Sequence, residues 1–430
     1  MINEELLWVL WQNLLFSVED LKTTAGESII IKRTGTHNTH AGPDFSLAHL
    51  IIDRIEWRGD IEIHTKASDW YKHKHQLNPA YEAVVLHVVY EADEDIIRND
   101  GTVLPVLELK NRISEQHLQT YAYLMESKSV LPCENLFSQV HSIVIEQMKQ
   151  RVLVERLERK TDALFQLLQE QPDWKKVAGR LIFKSFGTGL NDFLFERLAA
   201  AIDFNKLGRL SYAPKSIEAL FFGMAGMLED SAEDAYAKEL RKEFNYLKRT
   251  LEVTAVAELS EWKFLRTRPT NFPTIRLAQL AAVFANPDWF THFISIQTSK
   301  QAEVFFIYNV SDYWHTHYRF DVVSAPSEKH IGKSFITIFL INACIPFMVL
   351  DARYYKNAEK WDAVFQFIDS LKAEDNVITR KWQELGMTME TGFDSQSSLE
   401  LYKMYCTHKK CLSCSIGYSI LRNESVSAAV

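Results

Sequence analysis

The chain has 430 residues, of which 47% are hydrophobic and 24% charged, with a formal net charge of -8. That length allows two or three domains, and the composition implies a well-cored globular protein rather than a disordered one. The negative charge excludes broad electrostatic adhesion to nucleic acid, although not a local basic groove. Five cysteines are too few for a disulfide scaffold in a chain of this size. Residues 1–16 carry Glu4 and Glu5 and lack the basic start and small-residue cleavage site of a signal peptide. No run reaches the roughly 18 apolar residues of a membrane span. The most apolar window, residues 335–350, is interrupted by Asn342 and Pro346 and reads as a buried helix. The expected location is the cytoplasm, with no membrane partner.

In chain order, residues 4–16 place Leu6, Leu7, Val9, Leu10, Leu14 and Leu15 at helical spacing. Residues 28–33 are strand-like, residues 35–43 form a turn-rich loop, and residues 46–53 and 54–66 read as antiparallel strand neighbours. Ser68-Asp69-Trp70 predicts a short helix with Ser68 or Asp69 as its cap. Residues 83–90 are almost continuously apolar, as in a strand covered on both faces, and residues 103–109 form a further strand. From about Ser114 the period becomes helical and stays so, with residues 143–170 the longest amphipathic run. The reading is α+β: an N-terminal mixed α/β sheet domain over residues 1–112, then a larger all-α domain over residues 113–430 that ends in a cysteine cluster.

The most informative stretch is Arg58-Gly59-Asp60-Ile61-Glu62-Ile63-His64-Thr65-Lys66. On a strand, Ile61 and Ile63 face a core while Asp60, Glu62, His64 and Lys66 share the other face. Gly42-Pro43-Asp44-Phe45 precedes it, and His73, His75 and His87 follow. Carboxylates suit Mg²⁺ or Mn²⁺, and a Lys or His beside them would position an attacking water. Asp44 and Glu62 are therefore the expected metal ligands and His64 or Lys66 the water-positioning group, with Asp60 and His75 as supporting ligands. The bland alternative is an exposed polar strand face, which alternates in the same way. Seven of the 14 histidines fall between His37 and His87, so a Zn²⁺ site built on His64, His73, His75 and His87 is a second possibility. His73 and His75 would share a face if they lay on a strand, while His87 reads better as a core histidine bonded to backbone.

Two further groups stand out. Cys406-x4-Cys411-x2-Cys414, with His408 between, has a spacing that suits Zn²⁺ or an iron–sulfur cluster. His408, or Cys133 brought in by folding, would be the fourth ligand, and a closed zinc site there would be structural. Buried reduced thiols are the plain alternative. Arg266, Arg268 and Arg276 flank two prolines ahead of a helix and would hold a substrate phosphate at its N-terminus. Packing or salt bridging is the commoner use of such arginines.

The pattern Pro43-Asp44, spacer, Glu62-Ile63-His64 resembles the restriction-endonuclease-like fold over roughly the first 112 residues, with His64 where that pattern has lysine. That resemblance implies metal-dependent cleavage of nucleic acid. Across almost the whole chain, Gly42-Pro43-Asp44-Phe45, Gly59-Asp60-Ile61-Glu62-Ile63-His64, Ser68-Asp69-Trp70 with His73 and His75, Leu86-His87-Val88-Val89, Ile217-Glu218-Ala219-Leu220, Asn271-Phe272-Pro273 and the terminal cysteines resemble a bacterial family of unknown function. That resemblance implies an architecture and no activity. Three functions stay open: a metal-dependent, nuclease-like hydrolase; a non-catalytic binding or adaptor protein with a degenerate nuclease fold, a protein partner and a structural zinc; and a zinc-dependent hydrolase.

Overall fold

The structure is a computed structural model that describes residues 2–210, 213–228 and 233–422. The chain forms two compact units. One comprises Met1–Val152, Arg380–Met387 and Ser398–Val430; the other comprises Leu153–Thr379 and Thr388–Ser397. The expected boundary at residue 112 thus falls inside the first unit. The C-terminal cysteines, expected in the helical domain, belong to the unit that holds the sheet.

The first unit opens with helix α1 (Glu4–Gln12), whose cap Asn3 accepts from the N–H of Leu6. Leu6, Leu7, Leu10 and Trp11 are buried along its inner stripe. Strands β1 (Ile29–Arg33), β2 (Thr36–His37), β3 (Phe45–Ile52), β4 (Ile55–Lys66), β5 (Val84–Glu91) and β6 (Val106–Glu108) follow. The main sheet order is β1-β3-β4-β5-β6, with β2 pairing to β3. Pairs β1–β3 and β3–β4 are antiparallel; β4–β5 and β5–β6 are parallel. The short β2 lies within the stretch expected to be loop.

The hairpin between β3 and β4 turns through Asp53 and Arg54, both at positive φ (45° and 72°). Two such residues make the turn whose twist matches the flanking strands. A return to a parallel strand needs a crossover, and residues between β4 and β5 supply one through helix α2 (Asp69–Lys72) and two 3₁₀ turns, His75–Leu77 and Pro79–Tyr81.

Both faces of β5 are covered, as its apolar run requires. Leu86 and Val88 join the cluster formed with α1, Ile61 and Ile63, while Val84 and Val89 join Trp70, Ile96 and Leu104 on the other face. Each fully buried side chain of this kind contributes about 1.5–3 kcal/mol. The β4–β5 approach is close at Gly59, where a Cβ would lie 2.4 Å from Val85 Cγ1 and 2.5 Å from the Ala83 carbonyl oxygen.

The second unit, expected to be all-α, is helical apart from a two-stranded antiparallel sheet of His317–Arg319 with Val322–Val323, and it has one continuous core that includes Phe183, Phe186, Phe221, Phe284 and Trp289. Glu218 is buried there and accepts from Tyr236 Oη, Ser311 Oγ and Trp314 Nε1. Burial raises its pKa against those bonds, so the Ile217–Leu220 motif is a packing device. The apolar window near residue 340 is the buried helix expected, but longer and without the expected break. Lys333–Tyr354 is one continuous helix of 22 residues, long and apolar enough by length and composition to cross a membrane, and 67% of that window is buried inside the protein. Asn342 and Pro346 do not break it, because Leu340–Cys344 widens into a π turn and Pro346 then falls in the first turn of the next α segment. Proline's missing N–H is tolerated there.

Gly59→Ala should destabilise the first unit by about 1–3 kcal/mol, the usual cost of overpacking. Urea denaturation checks this; a loss below about 0.5 kcal/mol would show that β4 and β5 can separate cheaply.

Candidate metal centre

Asp44 sits just ahead of β3, and Glu62 and His64 lie two apart on β4. A β-bulge interrupts the β3–β4 register between Phe45 and Ala48. Past the Phe45–Ile61 pair, where the ladder ends, the two carboxylates take over backbone pairing: the Ile63 N–H donates to Asp44 Oδ2 at 2.8 Å, and the Asp44 N–H donates to Glu62 Oε2 at 3.2 Å. This reciprocal arrangement holds both acids against the strand and leaves Glu62 Oε1 directed at the histidines.

His64 is 2% exposed and Glu62 4%. Glu62 Oε1 lies 3.2 Å from His75 Nε2 and 3.5 Å from His64 Nε2. His64 Nε2 is 3.0 Å from His73 Nδ1, and His64 Nδ1 is 2.9 Å from His87 Nε2. One donor atom from each of His64, His73 and His75 lies within 4.8 Å of the others. His73 and His75 do not reach the site from a strand. His73 ends α2, and Lys74 at φ 61° turns the chain so that His75 opens a 3₁₀ turn. His73 is exposed to solvent while the His75 side chain is 10% exposed. Trp70 packs against both His75 and His87, and Tyr81 stacks on His75 with ring centroids 3.8 Å apart. Asp69 anchors the turn by accepting from the Lys66 N–H and from Thr65 Oγ1.

His87 differs from expectation. Its ring is fully buried, but it bonds to His64 rather than to backbone, and its Nδ1 has no partner. The placement is that of an outer residue fixing the tautomer and orientation of a ligand imidazole.

Burial dominates the electrostatics. Desolvation, with Glu62 nearby, pushes Asp44 up to about 7, and desolvation pushes Glu62 up to about 8. Burial and the neighbouring His75 and His73 push His64 down to about 3, and burial lowers His75 and His87 as well. The metal-free site therefore favours protonated carboxyls and neutral imidazoles. Neutral imidazole nitrogens are the form that ligates a cation. His75 Nε2 is buried and makes no hydrogen bond of acceptable geometry, although a carboxylate oxygen is close by. A crowded set of nitrogen and oxygen donors with one orphaned nitrogen fits a divalent transition ion, with His64, His73, His75 and Glu62 to hold it.

Other expected residues are placed elsewhere. Asp60 accepts from the Leu47 N–H at the bulge, where Leu47 has φ 59°, so it supports the backbone rather than the donor group. Lys66 is 51% exposed and pairs with Glu91 at 3.8 Å. The site therefore has no lysine from that position. Arg276 is buried, donates to Gln279 and Asn271, and stacks over Phe335 at 4.1 Å. It is a packed core group and does not join the exposed Arg266 and Arg268 in a phosphate site. Cys133 does meet the C-terminal cysteines: Cys133, Cys406, Cys411 and Cys414 line one cavity of about 20 Å³, whereas His408 is exposed and is not part of its lining.

Sequence reasoning missed Glu4, Trp8 and Tyr81. Glu4, in the first turn of α1, is half-buried and senses His73, Asp69 and His75. Trp8 lies close enough to Asp44 to lower its pKa. An acid in a first helical turn is ordinary for dipole reasons, so nothing local marked Glu4.

These shifts predict a pH dependence for chelator-treated protein. Ordinary values are 3.8 for Asp, 4.5 for Glu and 6.5 for His. Folding takes up protons at the two raised carboxyls, so their stabilising contribution is full below their ordinary values. It is lost as pH rises through the folded values of about 7 and 8. His64 acts oppositely, losing its contribution as pH falls below 6.5. Between pH 6.5 and 8 the carboxyls act alone. Stability from urea denaturation should fall across that window by more in wild type than in Glu62→Gln; equal slopes would contradict the assignment.

A family model described as a protein of unknown function (DUF2851) matches residues 4–377, which include every residue of this site and Cys133 but not the three C-terminal cysteines. No curated protein and no solved structure matches the chain. The chain belongs to the DUF2851 family.

Proposed function

We propose that the sheet-containing unit is a metal-dependent hydrolase whose ion is held by His64, His73, His75 and Glu62, and that its substrate is a phosphodiester. The observation that carries this reading is the convergence of three imidazole donors within 4.8 Å beside a buried carboxylate. Such a donor set suits Zn²⁺ or Mn²⁺ better than Mg²⁺, which prefers oxygen ligands. The ion, when bound, supplies Lewis-acid polarisation of a substrate oxygen and a water more acidic than bulk water.

The residues supply the rest. With His64 Nδ1–H donating to His87 Nε2 across their 2.9 Å contact, the lone pair of His64 Nε2 faces the site. Asp44, held against Glu62 and the Ile63 N–H, supplies a carboxylate for general-base work once a cation favours its ionised form. The His73 side is open to solvent and is the route for substrate and water. The phosphodiester class is supported by the order helix, antiparallel strands, crossover helix and parallel strand, with Asp44 ahead of one strand and Glu62-x-His64 on the next. This is the arrangement implied by the restriction-endonuclease-like resemblance, with histidine in the lysine position.

Isothermal titration with Zn²⁺ and with Mn²⁺, followed by hydrolysis of bis(p-nitrophenyl) phosphate and of oligonucleotides, tests this. His64→Ala and His75→Ala should abolish binding and turnover, and His87→Phe should weaken metal affinity about 10- to 100-fold. Metal binding without turnover of any phosphodiester would exclude the hydrolase and leave a metal-dependent binding protein. Unchanged binding in His64→Ala would exclude the site.

A further inference from the structure

We propose that Cys133, Cys406, Cys411 and Cys414 hold an iron–sulfur cluster. Folding brings four sulfurs from distant parts of the chain to one cavity, which Pro132, Trp382, Leu401 and Ile416 otherwise close with apolar groups. Cys133 immediately precedes the 3₁₀ helix Glu134–Gln139. Cys406 ends the π turn Tyr402–Cys406, and π turns are concentrated at functional sites. Cys411 and Cys414 lie in the loop before the last helix, Ser415–Arg422. All four are free thiols.

The local backbone is shaped for this loop. A Cβ at Gly417 would lie 2.3 Å from the Cys411 carbonyl oxygen, so only glycine lets the helix start approach so closely. The Ile416 and Gly417 N–H groups point at the Cys414 sulfur. Burial still pushes the Cys414 thiol up, and these amides partly offset it; amide donors aimed at a sulfur favour a ligating thiolate and tune a cluster's potential.

Spacing separates a cluster from a single ion. Zn–S bonds of 2.3 Å in a tetrahedron set neighbouring sulfurs about 3.8 Å apart. Among the described residues the group with three or more donors all within 4.8 Å is the histidine set, not the cysteines. The four cysteines instead line a shared cavity of about 20 Å³ without that close approach of their sulfurs, as when each thiolate binds a different corner of a polynuclear centre. Charge agrees. Four thiolates and a cluster carry net negative charge, and cations are in place: Lys410 lines the cavity, Arg151 donates to the Ser413 carbonyl at 3.3 Å, and Lys409 sits beside Cys411. Loading a preassembled cluster from a thiolate-ligated carrier is a ligand exchange: four Fe–S bonds to the carrier's thiolates break as four form to these cysteines, the four S–H protons pass to the departing carrier thiolates, and no oxidation state changes.

The test is anaerobic purification of the full chain, with iron, zinc and acid-labile sulfide analysis and the visible charge-transfer spectrum. Wild type and Cys344→Ser, whose sulfur is buried elsewhere, should carry iron and sulfide in near-equal amounts. Cys133→Ser and Cys411→Ser/Cys414→Ser should carry neither. Zinc without sulfide in wild type, or no metal at all, would overturn the proposal, and that wild-type result decides even if the cysteine variants misfold. Histidine-site variants should keep the cluster, so failure here is distinguishable from failure of the hydrolase reading.

Discussion

The reciprocal pairing of Asp44 and Glu62 just past the β3–β4 bulge is the constraint on which the site depends. A bulge leaves backbone groups without ladder partners, and buried N–H groups must be satisfied. Just past the bulge, where the β3–β4 ladder ends, two carboxylates meet the Ile63 and Asp44 N–H groups, which fixes both acids to the sheet. The same bulge is braced on its outer side by Asp60 and Leu47. One irregularity in pairing thus converts an alternating strand face into a directed group of donors.

Burying two acids and three imidazoles together is unfavourable unless something compensates. The protein responds by raising the acids and lowering His64. A cation would reverse the shift of the acids, since it favours the ionised carboxylate, while keeping the imidazoles neutral. Trp70 and Tyr81 pack the rings and exclude water from one side, while His73 keeps the other side open. Rigid strand positions supply His64 and Glu62, and the short α2 connection supplies His73 and His75.

Much of this was legible in sequence where local periodicity carries the information. The alternation of Ile61 and Ile63 with Glu62 and His64, and the apolar run of β5, gave the sheet and one face of the site. What could not be read depended on single torsions or distant chain segments. Lys74 in a left-handed conformation, rather than strand alternation, brings His73 and His75 together. Asp60 and Lys66 share the period of Glu62 and His64, but the bulge and Glu91 divert them. Arg276 looked like a phosphate ligand, and only packing reveals its cation–π contact with Phe335. The return of the C-terminal segment to the first unit is a long-range event with no local signal, so the boundary at 112 and the fourth cysteine were open questions of topology. A π turn absorbed Pro346, which spacing alone marks as a break.

The most direct test of the central claim is anomalous diffraction from crystals grown with Zn²⁺ or Mn²⁺, recorded at the edge of the added metal. The account predicts one strong peak among His64, His73, His75 and Glu62, about 2.0–2.2 Å from their nitrogen and oxygen donors. A peak elsewhere, or none with those four side chains well ordered, would contradict it.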